Sequence, residues 1–210
     1  LDSNLAKFVT QIECGEIITT PFPVISLVDL PVINRLASKN YVEEKYPKNE
    51  FLGRISKNKK TDKIRIGYYS SDFHNHATAF LIAELFEAHD ASKFELFGFS
   101  FGPEEDDEMR TRISSAFDKF IDVNNKSDRD VSMLSRDFGI DIAIDLKGFT
   151  KDARVGIFAE RCAPIQVNYL GYPGTMAAEY IDYIIADKTL IRQENQTNYT
   201  EKIVYLPNSY

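Results

Sequence analysis

The chain has 210 residues, of which 43% are hydrophobic and 12% aromatic, and this composition excludes an intrinsically disordered protein. Its formal net charge of −7, from 25 basic and 32 acidic side chains, argues against a nucleic acid or an anionic membrane as the main partner. The sequence contains no stretch of about 18 uninterrupted apolar residues, so we expect no membrane-spanning helix.

The two cysteines, Cys14 and Cys162, are far apart and fit neither a metal-ligand spacing nor a redox motif. We therefore expect reduced thiols, small buried side chains and a cytoplasmic location. The chain starts with Leu rather than Met, and its first residues lack the pattern of a signal peptide. We expect it to be a piece of a longer protein.

Residues 1–50 have helical rather than strand periodicity. The first helical pattern places Leu5, Phe8, Val9 and Ile12 on one face. The proline-containing segment Thr19–Pro23 is expected to break the chain, and a second helical pattern runs from about Ser26 to Tyr46. We predict a helical linker, either the end of an upstream helical array or a cap on a sheet. The charged segment Lys57–Asp62 predicts an exposed connector and a boundary.

From Lys63 onward, runs typical of strands alternate with helical patterns. The predicted strands are Ile64–Tyr69, Phe94–Phe99, Phe120–Val123, Asp141–Leu146, Ile165–Tyr169, Tyr180–Ala186 and Ile203–Leu206. The predicted helices are Thr78–His89, Asp106–Phe117 and Ser127–Phe138, the last with Ser127 as N-cap and Asp130 in a capping box. The intervals between strands suit crossover helices, so the sequence predicts an α/β fold with a parallel sheet covered on both faces.

A polar turn, Ser70–His76, follows the first predicted strand and carries two of the three histidines. In open α/β sheets ligands bind outside the carboxyl ends of the strands, which makes this turn a candidate site. A metal site would use Asp72, His74 and His76, but His89 is the only further histidine that could complete it. A nucleotide cradle is disfavoured because no glycine-rich phosphate motif follows the strand.

An acid–base site is the third interpretation of this turn. Histidine has an ordinary pKa of about 6.5, so His76, just before a helix N-terminus, can exchange a proton or donate a hydrogen bond near neutral pH. Asp72 can accept a proton or orient a neighbour. The alternative is structural, with both polar residues capping the helix and satisfying the turn.

Two further stretches follow predicted strands and share the same edge of the sheet. The first, Asp145–Arg154, brings Lys147, Lys151 and Arg154 to the edge, where they either bind an anionic ligand or are ordinary solvated charges. The second, Tyr169–Thr175, contains two glycines and a proline. Such a turn lets the backbone approach a ligand closely, or it forms a tight corner.

Five stretches occur in order over residues 63–210: IRIGYYSSDFHNHATA, DLKGFTKDAR, APIQVNYLGYPGT, YIDYIIAD and EKIVYLPNSY. Together they resemble the first lobe of the catalytic region of protein O-GlcNAc transferases, the SPINDLY-like glycosyltransferase family 41. The resemblance implies a GT-B architecture of two facing Rossmann-like lobes, of which this chain is the N-terminal, doubly wound one. It also implies transfer of N-acetylglucosamine from UDP-GlcNAc to a Ser or Thr hydroxyl of a protein, with inversion and without a metal or other cofactor. Residues 1–50 fit the linker that follows tetratricopeptide helices.

Two residues match the catalytic positions of the family. Asp72 and His76 match the Asp and His of its SDF-x-N-H turn. The resemblance implies acid–base or electrostatic roles for both, and a contact of the histidine with the donor near its sugar and diphosphate. Thr78 matches the threonine of the family's H-P-T segment, with Ala77 in place of the usual proline. That substitution loosens the turn but is expected to keep its hydrogen bonding.

Four residues match substrate-binding positions. Lys151 and Arg154 match a T-K-x-A-R segment on the acceptor side, and Leu170 and Gly171 match contacts at the sugar pocket. Animal members carry a linker histidine that aligns with Ser26–Val28, where this chain has none. The second lobe, which holds most UDP contacts in the family, is absent, so we expect the isolated chain to be inactive.

Two other function classes stay open on the sequence. One is a non-catalytic Rossmann-like module that binds a sugar, a nucleotide or a protein segment at its strand ends. The other is a metal-dependent hydrolase built on Asp72, His74 and His76.

Overall fold

The structure is a computed structural model that describes residues 3–55, 62–104 and 106–210. Within these ranges the helices are α1 (Ser3–Glu13), α2 (Pro21–Leu27), α3 (Pro31–Lys45), α4 (Ala77–Ala88), α5 (Glu108–Ala116), α6 (Asp128–Asp137) and α7 (Gly156–Ala159). The strands are β1 (Ile64–Ser70), β2 (Phe94–Ser100), β3 (Lys119–Asp122), β4 (Ile142–Asp145), β5 (Ile165–Asn168), β6 (Tyr183–Ala186) and β7 (Lys202–Tyr205). A 3-10 helix covers Gln193–Asn198. The predicted connector Lys57–Asp62 lies, except for Asp62, outside the described residues.

The strands form one seven-stranded sheet in the order β3-β2-β1-β4-β5-β6-β7, and every pair of neighbours is parallel. The predicted parallel α/β sheet is confirmed. The chain first builds outward from β1 through β2 to β3 and then returns to the other side of β1 with β4. In such sheets the carboxyl ends of the two strands where the order reverses flank the ligand crevice. Here those strands are β1 and β4, and Tyr69 pairs with Asp145 at that end.

Both faces of the sheet are covered, because successive side chains of a strand point to opposite sides. Tyr68 packs with residues of α4 and α5, including Phe86 and Ile113. Its neighbour Tyr69 packs on the other face, where α3, α6 and α7 contribute apolar side chains such as Phe158. This two-sided burial explains why Tyr68 and Tyr69 are both buried although they are adjacent in β1.

The amino-terminal helices differ from the prediction at their prolines. Instead of one pattern from Ser26 to Tyr46, α2 begins at Pro21 and α3 begins at Pro31. A proline suits the first turn of a helix, because its φ is already fixed and its missing N–H has no helical partner there. The residue before proline is driven to an extended conformation, and Leu30 has φ −135° and ψ 98°. The predicted chain break at Thr19–Pro23 is therefore right for Thr19 and Thr20, which lie between α1 and α2, and wrong for the prolines, which lie in α2; a second break falls at Leu30.

Helix α3 joins the amino-terminal helices to the sheet. Val42 is part of the core on the Tyr69 face. The Ser38 hydroxyl hydrogen-bonds the Tyr172 hydroxyl over 3.0 Å, and the Tyr180 hydroxyl donates to the Tyr46 carbonyl over 2.9 Å. The helical segment therefore packs directly on the loops that follow β5.

None of the helices in the described ranges has both the length and the apolar character that a membrane span requires. Cys14 and Cys162 are both free. Cys162 is buried, which raises the pKa of its thiol to about 12, and its Sγ donates to Gln166 Oε1 over 3.1 Å. Cys14 is exposed, so the prediction that both cysteines are buried is wrong for Cys14.

Candidate functional site

The candidate site lies at the carboxyl ends of β1, β4 and β5, three adjacent strands. The turn after β1 carries Asp72, and the loop after β4 places the ammonium group of Lys147 on it. The loop after β5 brings Gly171 against the Leu146 carbonyl. The loops that the sequence placed at one edge of the sheet are therefore in direct contact there.

Asp72 is nearly enclosed, with 7% of its surface exposed. Lys147 Nζ lies 2.7 Å from its Oδ1 and 2.6 Å from its Oδ2, and the Ser71 hydroxyl donates to Oδ1 over 3.0 Å. The backbone N–H of Asp72 donates to the Ser70 hydroxyl over 2.9 Å, which fixes the turn. These contacts hold the carboxylate in one orientation with its charge balanced by a cation.

His76 is the N-cap of α4, and its side chain is 43% exposed. Its Nδ1 accepts a hydrogen bond from the backbone N–H of Thr78 over 3.2 Å. The same nitrogen lies 3.5 Å from Asp72 Oδ2. The structural interpretation of His76 as a cap is thus confirmed, and the cap places the imidazole beside the carboxylate. The second ring nitrogen, Nε2, makes no hydrogen bond with the described residues, so it is available to a ligand.

Lys147 is not an ordinary solvated charge, one of the two alternatives that the sequence left open for it. Only 4% of its surface is exposed, and its ammonium is committed to Asp72. A buried lysine is tolerated because the paired carboxylate compensates its charge. The sequence held a usable signal for this pair: one strand-end turn carries a carboxylate, and a neighbouring one carries a cation.

Asp145 was not singled out by the sequence, yet it shapes the loop that carries Lys147. Its Oδ1 accepts hydrogen bonds from the backbone N–H groups of Lys147 over 2.8 Å and Gly148 over 3.1 Å. Its Oδ2 has no hydrogen-bond partner among the described residues. Burial raises the pKa of Asp145 to about 6, against the lowering effect of those two N–H groups.

Leu170 and Gly171 form a very tight turn directly after β5. The Gly171 N–H donates to the Tyr169 carbonyl over 3.0 Å, and Leu170 between them has φ 72°. A three-residue turn with positive φ at its centre is the rarer, strained γ-turn form, and such strain clusters at functional sites. A Cβ on Gly171 would lie 2.1 Å from the Leu146 carbonyl oxygen, so this position requires glycine.

The remainder of this loop is held by two buried polar side chains that the sequence did not reveal. Asn168 Nδ2 donates to the carbonyls of Tyr172 over 3.0 Å and Gly174 over 3.3 Å. The Glu201 carboxylate accepts from the Thr175 hydroxyl and the Met176 N–H, each over 2.6 Å. Burial raises the pKa of Glu201. The turn is therefore anchored from the strand before it and from the segment just before β7.

The other expected substrate-binding residues are placed as follows. Thr78 is half-buried in the first turn of α4, and its backbone N–H holds His76. Lys151 is exposed in the loop after β4. Arg154 donates to Asp128 Oδ1 over 2.7 Å and to two carbonyls of the β3–α6 loop. Arg154 thus ties two loops of this edge together, and its contact with substrate stays a prediction.

The residues of the metal interpretation are not arranged as a ligand set. The Asp72 carboxylate faces Lys147, and the rings of His74 and His76 are 5.8 Å apart. Across residues 3–55, 62–104 and 106–210, no group of three His, Cys, Asp or Glu side chains is placed to hold a metal ion.

The model of glycosyl transferase family 41 matches residues 41–210, most of the chain. The chain belongs to glycosyltransferase family 41. Its family membership agrees with the resemblance of the five motifs, and the matched region is the N-terminal lobe of the catalytic region.

Individual relatives of family 41 agree with this assignment. The chain is 40% identical over 148 residues to the probable UDP-N-acetylglucosamine–peptide N-acetylglucosaminyltransferase SEC of Arabidopsis thaliana, covering 70% of this chain and 15% of the relative. It is 37% identical over 150 residues to the UDP-N-acetylglucosamine–peptide N-acetylglucosaminyltransferase of Caenorhabditis elegans, covering 70% of this chain and 13% of that protein. The chain therefore spans only a small part of the length of these curated relatives.

A solved family structure has the same fold. An O-GlcNAc transferase mutant of Thermobaculum terrenum superimposes with a TM-score of 0.77 at 27% identity, covering 86% of this chain and 35% of that chain. The Rossmann-like assignment of the sheet is confirmed by this match.

Proposed function

We propose that this chain supplies one wall of the active site of a transferase that moves N-acetylglucosamine from UDP-GlcNAc to a Ser or Thr hydroxyl of a protein. Transfer proceeds with inversion and needs no metal. The observation that carries the proposal is the placement of His76 beside the Asp72–Lys147 pair, at the end of the sheet where the strand order reverses. Membership of a glycosyltransferase family supports it.

The reaction requires a sugar–phosphate bond to break, and negative charge develops on the departing UDP. Donors fixed in advance around that charge lower the barrier more than donors that must reorient. His76 is fixed by its cap contact and stands at the amino end of α4, where the helix dipole favours an anion. We assign His76 and Asp72 the catalytic roles and Thr78 a supporting contact to the donor.

The sugar and the acceptor are assigned to the neighbouring loops. The turn at Leu170 and Gly171 lets the backbone approach the N-acetylglucosamine ring closely, because no side chain stands at Gly171. Lys151 and Arg154 are assigned to the acceptor side. The second lobe faces this edge, holds the nucleotide and excludes water.

The amino-terminal segment has a separate role in this proposal. Residues 1–50 form a linker that follows tetratricopeptide helices, and residues 63–210 form the lobe itself. The protein works in the cytoplasm on protein substrates, a location that its free cysteines favour.

The decisive experiment measures peptide glycosylation by the full-length protein that contains this chain. Replacing His76 with Asn keeps a good N-cap but removes the imidazole. We expect kcat/KM to fall more than about tenfold for His76→Asn, because a charge-directed hydrogen bond is lost. His74→Ala removes a histidine from the same turn and should change kcat/KM less than about twofold.

Two results would contradict the catalytic assignment. If His76→Asn has wild-type kinetics while His76→Ala is impaired, the residue serves only as a cap. If the full-length protein binds UDP-GlcNAc without transferring the sugar to any peptide, the chain belongs to a binding module instead.

A further inference from the structure

His76 Nδ1 lies near two groups, a hydrogen-bond donor and a hydrogen-bond acceptor, which require different protonation states of this nitrogen. The backbone N–H of Thr78, 3.2 Å away, needs a lone pair on Nδ1. Asp72 Oδ2, 3.5 Å away, would need a proton on the same nitrogen. A neutral imidazole carries one proton, so it satisfies one partner or the other. If Nδ1 accepts from Thr78, the proton is on Nε2; if Nδ1 donates to Asp72, Nε2 is an acceptor.

Lys147 affects the tautomer of His76 through its ion pair with Asp72. Its ammonium contacts both carboxylate oxygens, within 2.7 Å, and both side chains are almost fully buried. In such surroundings the paired cation cancels most of the attraction that the carboxylate exerts on a further proton. Thr78, by contrast, offers a backbone donor that has no helical partner at this position.

We propose that Lys147 is a positioning residue that holds His76 in the tautomer protonated at Nε2. Asp72 is occupied by Lys147, so Nδ1 stays the acceptor of the α4 cap. His76 then meets a ligand at Nε2 as a hydrogen-bond donor, and Nε2 cannot accept a proton because it already carries one. The consequence for transfer rests on the proposed function, while the tautomer itself is a property of this chain.

Two other titratable side chains, His74 and Asp107, lie near the turn among the described residues. The ring of His74 is 5.8 Å from that of His76. Asp107 accepts from the Asn75 and Arg110 N–H groups as the N-cap of α5. Neither group contacts Asp72, so Lys147 is the cation whose removal exposes the carboxylate to His76.

The test is nitrogen NMR of the histidine side chains in the ¹⁵N-labelled chain, at about pH 8, where an ordinary histidine is neutral. Wild type should show His76 mainly protonated at Nε2. In Lys147→Met, which keeps a long unbranched side chain without the charge, the ratio of Nδ1–H to Nε2–H should rise roughly tenfold, because a charge-assisted bond to Asp72 becomes available. Lys147→Arg keeps the positive charge and should show the same ratio as wild type.

A matched control separates this effect from a general loss of charge. Lys93→Met removes the same charge from an exposed lysine that pairs with Asp90 before β2, at the opposite edge of the sheet, and should leave the ratio unchanged. Adding Asp72→Asn to Lys147→Met should return His76 to the Nε2–H form, since the carboxylate is gone.

Two outcomes would overturn the proposal. One is a wild-type His76 that is mainly protonated at Nδ1, a measurement that needs no variant to fold. The other is a folded Lys147→Met chain with the wild-type ratio. Because the readout needs no sugar donor, it is independent of the transferase assay, and a protein without transferase activity could still show the expected tautomers.

Discussion

Asp145 is buried beside the site, and its carboxylate holds the loop that carries Lys147. Its pKa of about 6 in the folded chain exceeds the ordinary value of about 3.9, so the folded state binds this proton more tightly than the unfolded state. The contribution of Asp145 to the free energy of unfolding is therefore complete below about pH 4 and is lost as the pH rises through about 6. The loss is on the order of 3 kcal/mol.

We predict that Asp145→Asn removes this loss, because an amide keeps an acceptor for the two backbone N–H groups and carries no charge. Urea unfolding at about pH 4 and pH 7 should show a smaller decrease in stability for the variant than for wild type. Asp187 supplies the opposite case. Its pKa is lowered, chiefly by the Leu190 N–H, so its contribution is lost as the pH falls. Equal pH dependence of wild type and Asp145→Asn would contradict the prediction.

Gly171 tests the close contact between the loops after β4 and β5. We predict that Gly171→Ala lowers the free energy of unfolding by about 1 to 3 kcal/mol, because the new methyl group collides with the Leu146 carbonyl. Gly15→Ala is the control. Gly15 has positive φ, 88°, which Gly171 does not, and a Cβ there meets no atom within 4 Å, so only the backbone cost of about 1 kcal/mol applies. A smaller loss for Gly171→Ala than for Gly15→Ala would mean that the loops separate easily.

At the scale of single residues, the sequence predicted where the site residues lie in the fold better than it predicted their burial and their hydrogen-bond partners. Asp72 and His76 were expected at a strand end, and they lie there. The burial of Lys147 was not predictable from local sequence, because its partner lies 75 residues away along the chain. Asp145 was named only as the first residue of the stretch Asp145–Arg154, since nothing in the local pattern shows that its carboxylate bonds the backbone that follows.

Among the elements, α6 begins at the capping box that the sequence predicts. The predicted capping box is confirmed: the Ser127 hydroxyl accepts from the Asp130 N–H over 3.2 Å, and the Ser127 N–H donates to Asp130 Oδ2 over 3.3 Å. We predict that Ser127→Ala lowers the free energy of unfolding by about 1 kcal/mol, measured by urea denaturation. Ser115→Ala in α5 is the control and should be neutral or slightly stabilising, because alanine is the better helix former. Equal effects of the two changes would show that the box contributes nothing.

Strand β6 shows where element prediction fails. The predicted strand began at Tyr180, but the observed one begins at Tyr183. The start of the intervening backbone is bonded in other ways: the Tyr180 carbonyl accepts from Gln166 Nε2, and the Ile181 N–H donates to the Ala178 carbonyl in a turn. Apolar periodicity cannot distinguish such a loop from a strand, because both bury Tyr180 and Ile181.

At the scale of the whole molecule, the proposed function makes this chain one side of a cleft. We predict that these 210 residues alone transfer no sugar from UDP-GlcNAc to a peptide, because one wall can neither grip the nucleotide nor exclude water. Incubation with radiolabelled UDP-GlcNAc and an acceptor peptide checks this, with the full-length protein as positive control. Turnover by the isolated chain would disprove the need for a second lobe.

Helix α3 has a consequence for how the molecule responds to force. The bond between Ser38 and Tyr172 ties this helix to the residue next to Gly171, and the Tyr180 hydroxyl adds a second tether at Tyr46. We therefore expect a tilt of the amino-terminal helices to shift the turn at Leu170 and Gly171 directly, without a change in the sheet. A ligand that binds at this turn would, by the same coupling, shift the helices.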